Sequence, residues 1–199
     1  MLAPGVLAAL ALYALSTSIT PGPNNMMLLA SGVNFGLVRT IPHMLGISVG
    51  FVIMAVPVGL GLGAVFLAVP ALHLALKVIA GAYMLWLAWR IATTPVMAQA
   101  REAARPMRFH EAAFFQFVNP KAVFMAITAM TAYTNPDHPF LSVFAVAVTF
   151  ACINLPSVGL WAAFGAGLRR WLSDPKVLRL FNITMGLLLV ASLWPMLMA

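Results

Sequence analysis

Long apolar runs separated by short polar connections dominate this chain. Six of them lie near residues 5–33, 40–67, 71–91, 111–133, 140–167 and 178–197. A helix rising about 1.5 Å per residue needs roughly 20 apolar residues to cross about 30 Å of hydrocarbon, and each run approaches or exceeds that length. Most runs are apolar all round, as expected of helices packed among lipid and one another, so helical periodicity adds little. The pattern predicts an all-α polytopic membrane protein of six transmembrane helices. The first run, counted from Leu2 to Phe35, is too long for one straight crossing, which places its first turns along the outer interface. The opening MLAPGVLAALALYALSTS lacks a positive n-region and continues into apolar sequence, so it reads as a first span and not as a cleaved signal peptide.

Composition agrees. Of 199 residues, 63% are hydrophobic and 8% are charged, against roughly a quarter charged in a soluble domain. The mean hydropathy is +0.99. A water-soluble enzyme and a disordered chain are both excluded, and the solvent implied is membrane lipid. Cys152 stands alone, which removes an internal disulfide, a CxxC redox pair and a cysteine metal cluster.

The formal charge of +7 would suggest nucleic acid in a soluble chain. Here the basic residues sit at the ends of apolar runs, and no nucleic-acid partner is expected. Arg39 follows the first run; Arg90, Arg101, Arg105 and Arg108 flank the third connection; Arg169, Arg170, Lys176 and Arg179 surround the fifth. The second connection offers only Lys77 and the fourth offers none. The positive-inside rule puts connections one, three and five in the cytoplasm and both termini outside. The stretch 93–110 is the only one of soluble composition. It divides a single transport domain, 1–199, into halves 1–92 and 111–199 of three spans each. Three is odd, so related halves sit in opposite orientations, the inverted-repeat plan of many secondary transporters.

The first span of each half is interrupted, by Thr20-Pro21-Gly22-Pro23-Asn24-Asn25 in one and by Val118-Asn119-Pro120-Lys121 in the other. Proline lacks an N–H and clashes with the preceding turn. Pro21 and Pro23 would free the carbonyls of Thr17 and Ile19, and Pro120 that of Gln116. Such groups cost several kcal/mol in hydrocarbon unless partnered or facing water. Two prolines around a glycine predict an outright break and a half-helix beginning near Asn24, capped by Asn24 or Asn25. Its N-terminus would favour a carboxylate. Lys121 is a cation near the membrane centre, at a cost of about 2.5–3.5 kcal/mol on insertion scales. It faces water, bonds freed carbonyls, meets an anionic ligand, or snorkels.

PGPNN in span one and FVNPK in span four, in an apolar chain of about this length, resemble the lysine-exporter (LysE/RhtB) superfamily of bacterial amino-acid exporters. The run Gly81-Ala82-Tyr83-Met84-Leu85-Trp86-Leu87-Ala88-Trp89-Arg90 is similar to its cysteine and O-acetylserine branch. The resemblance implies a secondary transporter that exports small neutral amino acids or derivatives across the bacterial inner membrane, driven by the proton gradient. Substrate-binding positions would be Pro21, Gly22, Pro23, Asn24, Asn25, Asn119, Pro120 and Lys121. Many relatives carry an acidic residue where this chain has Asn24, so a proton relay through that position is absent here. A passive channel-like protein for small solutes is the alternative reading, since the same breaks and glycines can line a pore.

Other residues carry weaker signals. Gln116, Thr128 and Asn154 are candidate pathway-lining groups, and Asn154 with Pro156 forms a third polar interruption. Trp161 is deep, with core packing favoured over a cavity role. Trp86, Trp89, Trp171 and Trp194 read as interfacial anchors. Gly46-Ile47-Ser48-Val49-Gly50 matches the G-x-S-x-G hydrolase pattern but lies inside a span, so it reads as packing glycines. His43, His73, His110 and His138 lack metal-ligand spacing, and neither metal nor cofactor is expected. His43 reads as an interfacial histidine, with a proton-responsive group as the alternative. The pairs Gly32/Gly36 and Gly46/Gly50, with Gly59, Gly61 and Gly63, permit close helix approach and a homodimer. No complete catalytic constellation is present in the sequence.

Overall fold

A computed structural model describes residues 2–62, 70–95 and 104–194. Parts of the predicted second and last spans and much of the 93–110 connection, including Arg101, lie outside the described residues. Among the described residues every regular element is helical: α1 (Pro4–Ile19), α2 (Pro23–Phe35), α3 (Leu37–Pro57), α4 (Pro70–Ala92), α5 (Phe109–Val118), α6 (Pro120–Tyr133), α7 (Pro139–Leu168) and α8 (Pro175–Ala191). Six of them, α1, α2, α4, α6, α7 and α8, carry proline in the first turn. There the missing N–H is one the helix cannot use anyway. Asn119 caps α6 by accepting from Lys121 N at 3.2 Å, and Asp174 caps α8 by accepting from Lys176 N at 2.7 Å.

The predicted breaks are present as bends. α1 and α2 meet at 56° and α5 and α6 at 70°. α2 turns into α3 at Gly36, whose φ of 80° lies in the left-handed region that glycine enters without a Cβ penalty. α3 ends in a π-helical turn, Val58–Leu62, with Gly61 at φ 109°. By contrast Pro156 does not interrupt α7, which runs 30 residues. Leu37–Gly61 and Pro139–Leu168 are long and apolar enough to cross a membrane, and each bent pair reaches that length when taken as one span. That gives two to four crossings among the described residues; α8 has 17 residues and the apolar Val78–Ala92 of α4 is also shorter.

α7 lies against α1, α2 and α3, while α3 also packs on α5 and α4 on α8. Small residues set these approaches. A Cβ on Gly32 would strike the Ala162 carbonyl oxygen and one on Gly165 that of Leu29, which locks α2 to α7. Gly46 and Gly50 meet the backbone of Phe109 and Ala113 on α5. Gly32, Gly46 and Gly50 are thus engaged within the chain, Ser48 between the last two donating to Asn154 Oδ1 at 3.2 Å, whereas a Cβ on Gly61 would meet open space. Gly165 and Gly186, the latter against the Ala88 carbonyl at 2.8 Å, complete the set.

Two large apolar clusters fill the interior, beside a smaller one of Leu29, Ala30 and Met185. Met27, Leu28, Ile47, Met84, Leu87, Phe115 and Leu189 form one. Leu10, Phe51, Met54, Met125, Val146 and Phe150 form the other, with the Phe51 and Phe150 rings stacked at 4.3 Å. Each broken helix pair passes from one cluster to the other: Ala14 and Met27 flank the first break, Phe115 and Ala122 the second. The breaks therefore meet at the boundary between the clusters.

Candidate functional site

The first break is a short extended passage. α1 stops at Ile19, Thr20 is extended, and Gly22 is the N-cap of α2. The loosened carbonyls are all engaged. Thr20 Oγ1 donates to Thr17 O at 2.9 Å, Trp161 Nε1 to Ile19 O at 3.1 Å, and Asn25 Nδ2 to Ser18 O and Thr20 O at 2.8 and 2.7 Å. The helix therefore begins one residue before Asn24, and neither asparagine caps it; α2 has no side-chain cap. The reason is competition: the broken backbone holds more unpaired acceptors than donors, and Asn25 is buried where it reaches two of them. The first turn of α2 keeps its uncapped N–H groups beside the cavity.

Lys121 arrives from the second break. Its Nζ donates to Thr20 O at 2.8 Å, Thr20 Oγ1 at 2.9 Å and Pro21 O at 3.2 Å. Three acceptors match the three N–H bonds of an ammonium. Of the fates open to it, bonding freed carbonyls is the one observed. Gly22 makes this approach possible, since a Cβ there would lie 2.7 Å from Lys121 Cδ and 3.1 Å from Nζ.

Further bonds tie the breaks together. Asn24 Nδ2 donates to Gln116 Oε1 at 2.8 Å, and Gln116 Nε2 returns to Asn24 Oδ1 at 3.3 Å and to Ala112 O at 2.8 Å. Asn154 Nδ2 donates to Ser18 Oγ at 3.0 Å. These side chains, with Gly22, Asn25, Asn119 and Lys121, line a cavity of about 20 Å³. At about 10–15 Å³ per water, that holds one or two waters and no amino acid. The cavity is drawn shut by its own polar groups.

Of the residues expected at the site, Gly22, Asn24, Asn25, Asn119 and Lys121 line this cavity, as do Gln116 and Asn154. Pro21 contributes its carbonyl to Lys121, and Pro23 and Pro120 open α2 and α6. Thr128 and Trp161 do not line it; Trp161 instead satisfies Ile19. Thr17, Ser18 and Thr20 join the site without having been expected there. The signal that points to them is their place within one turn before Pro21, where hydroxyls reach freed carbonyls. The lining contains one cation and no carboxylate. No cluster of His, Cys, Asp or Glu among the described residues is suited to a metal.

The expectation for His43 is corrected. It is 2% exposed in α3, and neither ring nitrogen has a hydrogen-bond partner. Pro42 precedes it without ending α3, and the ring is buried between helices instead of lying on an exposed helix surface. Trp86, Trp89, Trp171 and Trp194 are exposed, as anchors require. Several arginines gather at one end of the bundle. Arg39 Nη2 donates to Ala104 O at 2.8 Å and Arg90 Nη2 to Arg105 O at 3.4 Å. Arg105 holds Glu111 through two bonds of 2.8 and 2.6 Å, and this carboxylate raises the arginine pKa above its ordinary value.

Fold and site together define a helical membrane protein whose two broken helices meet at a central, cationic, anion-free polar pocket. The LysE type translocator family model matches residues 15–192, and the chain belongs to that family. It is 34% identical over 189 residues to the cysteine/O-acetylserine efflux proteins of Escherichia coli, Shigella sonnei and Shigella flexneri, covering 94% of this chain and 95% of each relative. No solved structure shows significant similarity to it.

Proposed function

We propose that this protein exports small neutral amino acids or derivatives of the cysteine and O-acetylserine type across the bacterial inner membrane, as a secondary transporter. The observation that carries the reading is the bonding of Lys121, from one broken helix, to the carbonyls of the other. Carbonyl dipoles solvate the ammonium without neutralising it. A substrate carboxylate arriving beside the uncapped first turn of α2 finds a formal charge and helix-end N–H groups on the same side. Asn24, Asn25 and Asn119 offer polar contacts beside it. The efflux activity named for the relatives supports the direction and the substrate class.

Substrate must displace the bonds that close the cavity, which couples binding to the relation between the breaks. The two halves, each a bent helix pair and two further helices, form six spans in opposite orientations. The packing supports this: α3 and α7 hold corresponding places and lie against each other, and so do α4 and α8. α3 rests on α5 as α7 rests on α1, which is the crosswise exchange a pseudo-two-fold in the membrane plane produces. The arginine-rich end faces the cytoplasm and both termini lie outside.

Counterflow in proteoliposomes tests the class. Vesicles loaded with unlabelled O-acetylserine, cysteine, homoserine, threonine or lysine are offered the matching labelled compound. The expected result is saturable uptake, accelerated by internal substrate, for one or two neutral amino acids. Uptake that neither saturates nor responds to internal substrate would mark a passive pore.

A further inference from the structure

A second cavity, about 60 Å³ in volume, opens at the arginine-rich end between α2, α3, α4 and the segment before α5. It shares no lining residue with the central cavity. The two follow one another along the same helices: α2 supplies Asn24 and Asn25 to one and Ser31 and Asn34 to the other, and α3 supplies Ile47 to one and His43 to the other. Buried Leu28, Met84 and Phe115 belong to the apolar cluster that contains both Ile47 and Met27, at the boundary between them.

The polar groups of this cavity differ in how far they are already committed. Ser31 bonds Thr40 at 2.8 Å. Asn34 Nδ2 donates to Ala30 O at 2.8 Å and to Asn182 Oδ1 at 2.7 Å, and Asn34 Oδ1 accepts from Asn182 at 3.2 Å. Arg105 is engaged by Glu111. Two groups stand apart. His43 is buried with both ring nitrogens unpartnered, and a neutral imidazole always carries one N–H that costs free energy when left unmade. Arg90 makes one long bond of 3.4 Å to a carbonyl and stacks over the Trp86 ring at 5.5 Å, with no carboxylate bonded to it among the described residues. Glu111 and Arg90 are the charged groups whose fields reach His43, and Glu111 is neutralised by Arg105. The wall thus presents an unused neutral donor and an available guanidinium, with no acid among the described lining residues.

We propose that this cavity is a second ligand site, in which Arg90 and His43 receive the carboxylate of a small amino acid at the cytoplasmic side, before the central cavity. Arg90 supplies the charge and a planar fork that matches a carboxylate; His43 N–H supplies the second, orienting bond. At about 10–15 Å³ per water-sized group the space takes about four to six such groups, enough for the carboxylate and α-carbon end of a small amino acid. The site deepens the transport reading in sharing its ligand class, yet its binding stands or falls separately.

Four histidines make the test direct. With histidine ring nitrogens labelled with nitrogen-15 in detergent-solubilised full-length protein, His43 is assigned by its absence in His43→Gln. Acetate, O-acetylserine and cysteine are titrated in turn, with methylammonium as the cationic control. The expected result is a saturable shift of the His43 signals with all three carboxylates and none with methylammonium. The shift persists in Lys121→Ala. A hydrogen bond to a charged group is worth about 1.5–3 kcal/mol, so Arg90→Gln weakens binding about ten-fold or more, and Arg90→Lys restores part of it. The unliganded His43 signals report whether each variant is folded. A His43 shift that is absent with every carboxylate, or that is lost in Lys121→Ala and kept in Arg90→Gln, overturns the proposal. Counterflow that fails while the shift remains overturns the transport reading instead.

Discussion

Lys121 carries its charge in the first turn of an otherwise largely apolar helix, and the cost of holding it there has a visible counterweight in three oxygen acceptors. The opposing magnitudes decide what removing it does. Lys121→Met saves an insertion cost of about 2.5–3.5 kcal/mol and leaves carbonyls short of a donor at about 1–3 kcal/mol. The two nearly cancel. Thermal unfolding of the purified variant is therefore expected within about 4 °C of the parent, the size of a 1 kcal/mol change in a chain of this length, while transport is lost. A structural lysine would behave the other way, with a large fall in melting temperature and partial transport. Much of this residue is legible in the sequence, because a cation directly after an intramembrane proline has few partners but the carbonyls that prolines release. The identity of those carbonyls is not. They belong to the other break, 101 residues away, and no local rule spans that distance.

At the scale of elements, close approach between helices depends on glycines whose neighbours are backbone atoms that cannot swing aside. Gly165→Ala places a methyl against the Leu29 carbonyl, and overpacking of this kind costs about 1–3 kcal/mol. Gly167→Ala, two residues on and with open space around it, is expected to be neutral or stabilising by up to about 1 kcal/mol through helix propensity. Thermal scans of the two variants side by side check this. Gly32, Gly46 and Gly50 stand out in the sequence because they recur at helical spacing. Gly165 has no glycine one turn away on its contact face, and its importance emerges only once α2 is packed against it. The breaks show the same division. Proline chemistry locates both bends, yet the expected asparagine cap does not form, because side chains serve the most exposed need and that need is a carbonyl. Asn154 bonds neighbouring helices through Ser48 and Ser18 and also lines the central cavity.

For the whole molecule, the proposed orientation rests on charge asymmetry. In a Cys152→Ala background, Asp137→Cys is expected to react with a membrane-impermeant maleimide from outside intact cells. Arg170→Cys is expected to react only after permeabilisation. Labelling in the reverse order would invert the topology and move the His43 cavity to the opposite face. Apolar composition makes the helical membrane class readable from the chain alone, because so few charges cannot cover the surface of a water-soluble fold. It does not reveal the two cavities, since their walls are drawn from helices far apart in sequence.

The proposed substrate site is the meeting of the two breaks. Counterflow with the amino acid carried by the parent protein, measured for Lys121→Ala and Lys121→Arg at equal reconstituted amounts, tests it most directly. Saturable uptake is expected to vanish in Lys121→Ala and to survive in part in Lys121→Arg, which keeps the charge but not the compact ammonium that three oxygens surround. Parent-like half-saturation and maximal uptake in Lys121→Ala would place the substrate elsewhere and contradict the site.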